Sequence, residues 1–269
     1  MKTALRYGVL VLGAVVFAYP FLWMVAASLK PEMELANLGL WSDQFSLRSY
    51  DLVLTKIPIG RAFLNSLLVS GVTTGSVILF GSMVGYALAR LRFPGSALIQ
   101  ALILFTMMIP FQIVLIPQYI LMVTLGWTDS YMGLIAPTVM SAFSILLFRQ
   151  FFLSIPEALL DAARLDGATE ATILFRIVWP LSRPVIATVG ILTFMTSWNE
   201  VLWPLLVVRE RTLMTMPQLV TIFTIGGEAE SQLGAQLAAA VLLALPVIVA
   251  YAFFQRSFIQ SLASTGLKG

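Results

Sequence analysis

The sequence predicts an all-α, polytopic membrane protein with six transmembrane helices and a short extra helix between the fourth and fifth. Three observations carry that prediction. Of its 269 residues, 59% are hydrophobic and 11% charged, against about 45–50% and about 25% in a soluble domain. Six stretches are long and apolar enough to cross roughly 30 Å of hydrocarbon as helices of about 20 residues. The alternating pattern of a β-barrel is missing, and lipid offers free backbone groups no partner, so each crossing must be helical.

The stretches are 7–28, 63–89, 97–124, 131–152, 185–208 and 234–256, within one transmembrane domain over 1–269. The first follows Lys2 and Arg6. Its apolar run exceeds the roughly 7–15 residues of a cleavable signal, so it reads as a retained span even though Ala26-Ala27-Ser28 mimics a cleavage site. The second carries Gly71, Gly75, Ser82, Gly85 and Ala89 on one stripe, where small residues let helix backbones approach closely. The third contains Pro110 and Pro117, which bend a helix; broken helices border cavities, although prolines also occur in ordinary membrane helices.

Lys and Arg set the orientation. With the N-terminus inside, the inner side holds Lys2, Arg6, Arg90, Arg92, Arg149, Arg164, Arg176, Arg183, Arg256 and Lys268. The outer side holds Lys30, Arg48, Lys56, Arg61, Arg209 and Arg211, diluted by acids. Both ends are therefore expected in the cytoplasm of a cell-membrane protein, as an even number of spans requires. The same asymmetry accounts for the net charge of +3 and the pI of 9.3. No basic cluster is dense enough for nucleic acid.

The chain has neither cysteine nor histidine. That excludes disulfides, thiolate or imidazole metal sites and Ser-His or Cys-His catalysis. An aspartyl protease needs two buried Asp, whereas Asp43, Asp51, Asp129, Asp161 and Asp166 all fall in loops. No catalytic or metal-binding residue is expected, and the chain is not expected to be an enzyme. A phosphate-cradling GxxxxGK[ST] loop is also missing.

The inner loop 153–184 is the informative segment. Ser154 and Glu157 have capping-box spacing with Pro156 in the first turn, predicting a helix over 155–166 that Gly167 stops. Thr169 caps a second helix over 170–179, with Pro180 and Pro184 marking its end. Leu159, Ala162, Ala163 and Gly167 share one face by their spacing, and Asp161 and Arg164 are placed to pair. A small-faced helix held between two spans suits the close approach of another protein; a helix lying on the membrane wants bulky interfacial residues instead.

Here the chain resembles the permease subunits of ATP-binding-cassette importers. Their signature loop reads Glu-Ala-Ala, three residues, Gly, nine residues, then Ile-x-Leu-Pro. This chain has Asp161-Ala162-Ala163, three residues, Gly167, nine residues, then Ile177-Val178-Trp179-Pro180, with Asp161 for Glu and Trp179 for Leu. Ile155-Pro156-Glu157, Asp166-Gly167-Ala168, Trp198-Asn199-Glu200 with Pro204, and Gly266-Leu267-Lys268-Gly269 resemble the sugar-uptake branch, in particular the maltose-transporter-type smaller permease.

The resemblance implies the type I importer fold and a complex with a second, unlike permease, two ATPase subunits and an extracytoplasmic sugar-binding protein. ATP and magnesium would sit in the ATPase, and this chain would take no cofactor. It implies ATPase coupling through Glu157, Asp161, Ala162, Ala163, Arg164, Asp166, Gly167, Ile177 and Pro180, and passage of a di- or oligosaccharide by alternating access. Glycerol 3-phosphate is the alternative solute; the scarcity of Lys and Arg deep in the spans favours a neutral sugar. An ion-coupled secondary transporter would want several intramembrane carboxylates, and Glu200 stands alone.

Trp198, Asn199, Glu200 and Trp203 form a polar and aromatic group in the fifth span. They read either as lining of the translocation path or as contacts to neighbouring helices or the outer interface. Gly226, Gly227, Glu228, Glu230 and Gln232 form a polar outer turn, either a binding-protein contact or a solvated connector.

Overall fold

The computed structural model describes residues 2–266 apart from 37, 43, 228, 230 and 231, with backbone alone for 2–4 and 250–266. All regular structure among the described residues is helical. In chain order come α1 (Lys2–Ser28), a 3-10 turn at Glu32–Glu34, α2 (Arg48–Lys56), α3 (Ile59–Arg90), α4 (Ser96–Met108), α5 (Phe111–Thr124) and α6 (Tyr131–Ile135). A second 3-10 turn at Ala136–Thr138 leads to α7 (Ala142–Leu153), α8 (Glu157–Leu165) and α9 (Glu170–Ile173). A π turn at Leu174–Val178 leads to α10 (Trp179–Leu181), α11 (Arg183–Trp198), α12 (Leu202–Val207), α13 (Met216–Ile225) and α14 (Leu233–Gly266).

Two compact units result, 1–63 with 216–250 and 64–215 with 251–269. In the first, the Ala235, Ala238 and Ala239 face of α14 is fully buried, as are Val53 of α2 and Phe223 of α13. Glu32 caps α14: its two carboxylate oxygens accept the N–H groups of Leu233 and Gly234 at 2.6 and 3.1 Å. A negative charge at a helix N-terminus is favourable because unpaired N–H groups point out of it.

The second unit is built on α3 from Leu64 onward. Val77, Tyr86, Phe148, Phe152, Leu160, Ile173, Val178 and Val189 form its core, drawing α3, α7, α8, α9, the π turn and α11 together. The small stripe on α3 is used at one end only. A Cβ on Gly85 would lie 2.8 Å from Phe148 Cβ and 3.0 Å from the Ile145 carbonyl, so α7 crosses there in direct contact. Gly71 and Gly75 face open space instead.

The continuous spans expected over 7–28 and 63–89 are present in α1 and α3. The stretch 97–124 is not one helix: α4 and α5 meet at 101° around Ile109 and Pro110. The residue before a proline is pushed out of the helical region, and Ile109 sits at φ −84°, ψ 116°. Pro117, expected to bend the same span, stays inside α5. The stretch 131–152 bends by 43° between the 3-10 turn and α7, where Ser141 caps α7. The stretch 185–208 is interrupted at 199–201.

Pro180 does not end the second loop helix. The ladder widens ahead of it, with the Trp179 N–H reaching the Leu174 carbonyl, and the helix continues to Leu181. The chain then turns by 84° at Ser182 into α11.

Candidate functional site

The helix expected over 155–166 is α8, and its start differs from the sequence expectation. Ser154 does not form a capping box with Glu157. It ends α7, its hydroxyl donating to the Phe151 carbonyl at 2.7 Å, and Pro156 occupies the N-cap. Glu157 still places a negative charge in the first turn, where the helix dipole favours it.

The stop is as the sequence implies. Gly167 has φ +80°, a conformation that costs an L side chain roughly 1–2 kcal/mol. The Ala168 N–H reaches the Ala163 carbonyl and the Gly167 N–H the Arg164 carbonyl, both at 3.0 Å, closing a Schellman motif. Thr169 caps α9 by accepting the Thr172 N–H at 3.3 Å.

The two faces of α8 are drawn differently from the spacing argument. Leu160 and Ala163 point inward, 0% and 9% exposed, against Phe152 and Ile173 in the core. Ala163 is therefore part of the helix's foundation, not of its outer face. The exposed side consists of Ala158, Leu159, Ala162 and Leu165, fringed by Glu157, Asp161, Asp166 and Gly167. Leu165 is 89% exposed.

Arg164 joins α8 to α9. It donates to Asp161 at 2.8 Å, and to the two oxygens of Glu170 at 2.9 and 3.4 Å. Glu170 also accepts the Tyr86 hydroxyl of α3 at 2.5 Å. The Arg164 guanidinium, helped by the Tyr86 hydroxyl, holds the Glu170 carboxyl below the usual carboxylate range against the opposing effect of burial. Hydrogen bonds to Glu170 and Asp161 raise Arg164 above its ordinary value. Ile177 packs partly buried against the core, and Pro180 is exposed.

A cavity of about 480 Å³ lies in the same unit, between α3, α5, α7, α11 and α12. Its polar lining comprises Thr73, Gln118, Thr138, Ser141, Ser144, Thr193, Thr196, Ser197, Thr215 and Glu200; its aromatic lining comprises Phe111, Phe143 and Trp203. The wall contains no Lys or Arg. Of the four residues expected near a path, Glu200 and Trp203 line it and the other two do not. Trp198 is buried and stacked on Phe194 at 5.7 Å, while exposed Asn199 donates to the Met195 carbonyl at 2.8 Å. Glu200 also caps α12, accepting the Trp203 N–H at 3.1 Å. The Trp203 indole donates to the Gly133 carbonyl at 2.9 Å, with only 3% of the residue exposed.

The turn at 226–232 is built rather than loose where it is described. Gly227 has φ +80°, and the Ala229 N–H returns to the Phe223 carbonyl at 3.2 Å. Gln232 donates its N–H to the Ala229 carbonyl at 2.8 Å. Glu228 and Glu230 lie outside the described residues.

Two polar hubs escaped the sequence argument. Asn65 near the start of α3 donates to the Thr212 and Met214 carbonyls and accepts the Tyr131 hydroxyl, all at 2.8–2.9 Å. Asp129, at φ 51°, accepts the Arg209 and Glu210 N–H groups at 2.5 and 2.8 Å. The third omission was the contact of Tyr86 with the loop. A four-residue polar repeat at the end of an apolar span (Ser82, Tyr86, Arg90) was the available signal.

Residues 77–263 match the model of the family described as binding-protein-dependent transport system inner membrane component. The chain belongs to that family. The permease is 37% identical over 262 residues to the arabinooligosaccharides transport system permease protein AraQ of Bacillus subtilis, covering 95% of this chain and 92% of the relative. It is 30% identical over 264 residues to the trehalose transport system permease protein SugB of Mycobacterium tuberculosis, covering 96% of each. The sn-glycerol-3-phosphate permease UgpE of Pectobacterium atrosepticum is 30% identical over 264 residues, covering 95% of this chain and 94% of the relative. In fold, the permease resembles a solved bacterial ABC transporter involved in import of the acidic polysaccharide alginate. The TM-score is 0.83 at 22% identity, covering 95% of each chain. It is an integral membrane transport subunit.

Proposed function

We propose that the chain is one of two unlike permeases in an ATP-driven importer, passing a di- or oligosaccharide from an extracytoplasmic binding protein into the cytoplasm. The chain crosses the membrane six times with both termini inside, the bent pairs counting as single spans. α8 docks in a cleft of one of two ATPase subunits, which bind ATP and magnesium. Closure of those subunits moves α8 and tips the spans between inward-open and outward-open. The solute needs no chemistry, only differential stabilisation of two states.

The observation that carries this reading is the exposed side of α8. A nine-residue helix whose outward leucine is 89% exposed, locked by a Schellman motif and footed on buried Leu160 and Ala163, is a preformed knob for a protein cleft. Its exposed residues Glu157, Asp161, Ala162, Asp166 and Gly167 make the contact; Ala163, Arg164, Ile177 and Pro180 support it from behind or beside. Glu200 and Trp203 with the hydroxyl-lined cavity are the path surface of this subunit, while Gly226, Gly227, Glu228, Glu230 and Gln232 meet the binding protein.

The solute is a neutral sugar. Hydroxyls, one amide and one carboxylate suit hydroxyl recognition, and a phosphorylated solute would want the Arg or Lys that the cavity wall lacks. The test is uptake by vesicles holding the two permeases, the ATPase and the binding protein. Arabino-oligosaccharide or trehalose should accumulate with ATP only when this chain is included. Uptake of glycerol 3-phosphate in preference to either sugar would contradict the assignment.

A further inference from the structure

Ser82, Tyr86 and Arg90 recur every four residues and so share one face of α3. Each is bonded to a different part of the segment that carries α8. Arg90 donates to the carbonyls of Phe152 and Ile155, immediately ahead of α8. Tyr86 donates to Glu170, which is bonded in turn to Arg164 of α8. Trp179, beyond the π turn, donates its indole N–H to Ser82 at 3.0 Å.

We propose that this face of α3 is a transmission strut: Ser82, Tyr86 and Arg90 are positioning residues that make α8 and α3 move as one body. The proposal rests on the reading of α8 as the ATPase-docking helix. A helix of nine residues is marginal alone, and along the chain it is followed by a glycine turn and a sharp bend. Gly167 follows its C-cap residue Asp166, and an 84° turn at Ser182 separates the next segment from α11. Held only through those links, α8 would swivel under load without moving a span. Three bonds at successive turns of α3 remove that freedom. Ser82 and Tyr86 are 0% and 3% exposed, and the Tyr86 ring meets Phe152 edge-on at 6.3 Å, so the joint is packed as well as bonded. Packed joints pass small displacements on rather than absorbing them.

The test uses the assembled complex, with spin labels at Ala162→Cys on α8 and Met83→Cys on α3, both on exposed positions in a chain without native cysteine. The distance between them should stay the same with and without ATP. A change of about 5 Å, the rise of one helical turn, overturns the strut.

Function gives a second arm. Tyr86→Phe keeps the ring and deletes the bond. It should lower binding-protein-stimulated ATP hydrolysis about fivefold or more while leaving basal hydrolysis unchanged. Tyr86→Phe with Glu170→Gln should be no worse than Glu170→Gln alone, because Tyr86 reaches α8 through Glu170. Crosslinking of Leu159→Cys to the ATPase should persist in the Tyr86→Phe background. Normal stimulation in Tyr86→Phe with that crosslink intact overturns the strut alone. Loss of the crosslink with Tyr86 in place overturns the docking reading, and the strut with it.

Discussion

Gly85 and Asp129 show what single side chains decide. At Gly85 a methyl group would meet the root of Phe148 and two backbone atoms of α7, none of which can rotate away. Gly85→Ala should therefore lower stability by about 1–3 kcal/mol, read as a drop in melting temperature in detergent, whereas Gly71→Ala, in open space, should not. Asp129 accepts two N–H groups, from Glu210 and Arg209, which hold its carboxyl below the ordinary value. A depressed carboxyl stabilises the folded form above its unfolded value, about pH 4, and loses that contribution as the pH falls through the folded value. Melting should be insensitive to this group from pH 7 to about 5 and weaken in stronger acid. Asp129→Asn, which tolerates the same positive φ, should show a smaller acid-side loss.

Among the elements, α8 separates footing from contact. Ala163→Leu forces three extra carbons into a buried site and should lower the melting temperature; Leu165→Asp should leave melting unchanged while reducing coupled transport at least about fivefold. Trp179→Phe removes one hydrogen bond to buried Ser82 while leaving that hydroxyl its contact with the Leu79 carbonyl, so a cost of about 0.5–1.5 kcal/mol is expected from denaturation. What was legible here was local. The Gly167 stop, the Thr169 cap and the Asp161–Arg164 pair each follow from groups three or four residues apart. Spacing groups residues without saying which group looks inward; Phe152 and Ile173, which come from other elements, put Ala163 on the inner side of α8. Likewise Pro110 announced a break, but neither its 101° angle nor the survival of α5 through Pro117 can be computed from a proline's position.

Across the whole molecule, apolar length and composition were enough to imply a helical membrane protein, because lipid permits so few backbone solutions. Contacts distant in sequence were not legible. Tyr86 reaches Glu170, Asn65 reaches Met214, and the cavity draws its hydroxyls from several elements. The Asn65 and Tyr86 hubs are separated by twenty-one residues of one helix, roughly 30 Å at 1.5 Å per residue, which is about one hydrocarbon thickness. The polar fastenings of α3 thus lie toward its two ends, with the cavity wall of Val69, Thr73 and Val77 between. Alternating access then requires only that force delivered at one end alter the packing in between.

The most direct measurement of the central claim is capture of the motor by the exposed side of α8. A complex carrying Leu165→Cys as its permease's single cysteine is treated with a short bifunctional thiol-to-amine reagent. The account predicts a covalent product joining the permease to the ATPase subunit, its yield changing when ATP is added. Failure to capture the ATPase from an intact, transport-competent complex would contradict it.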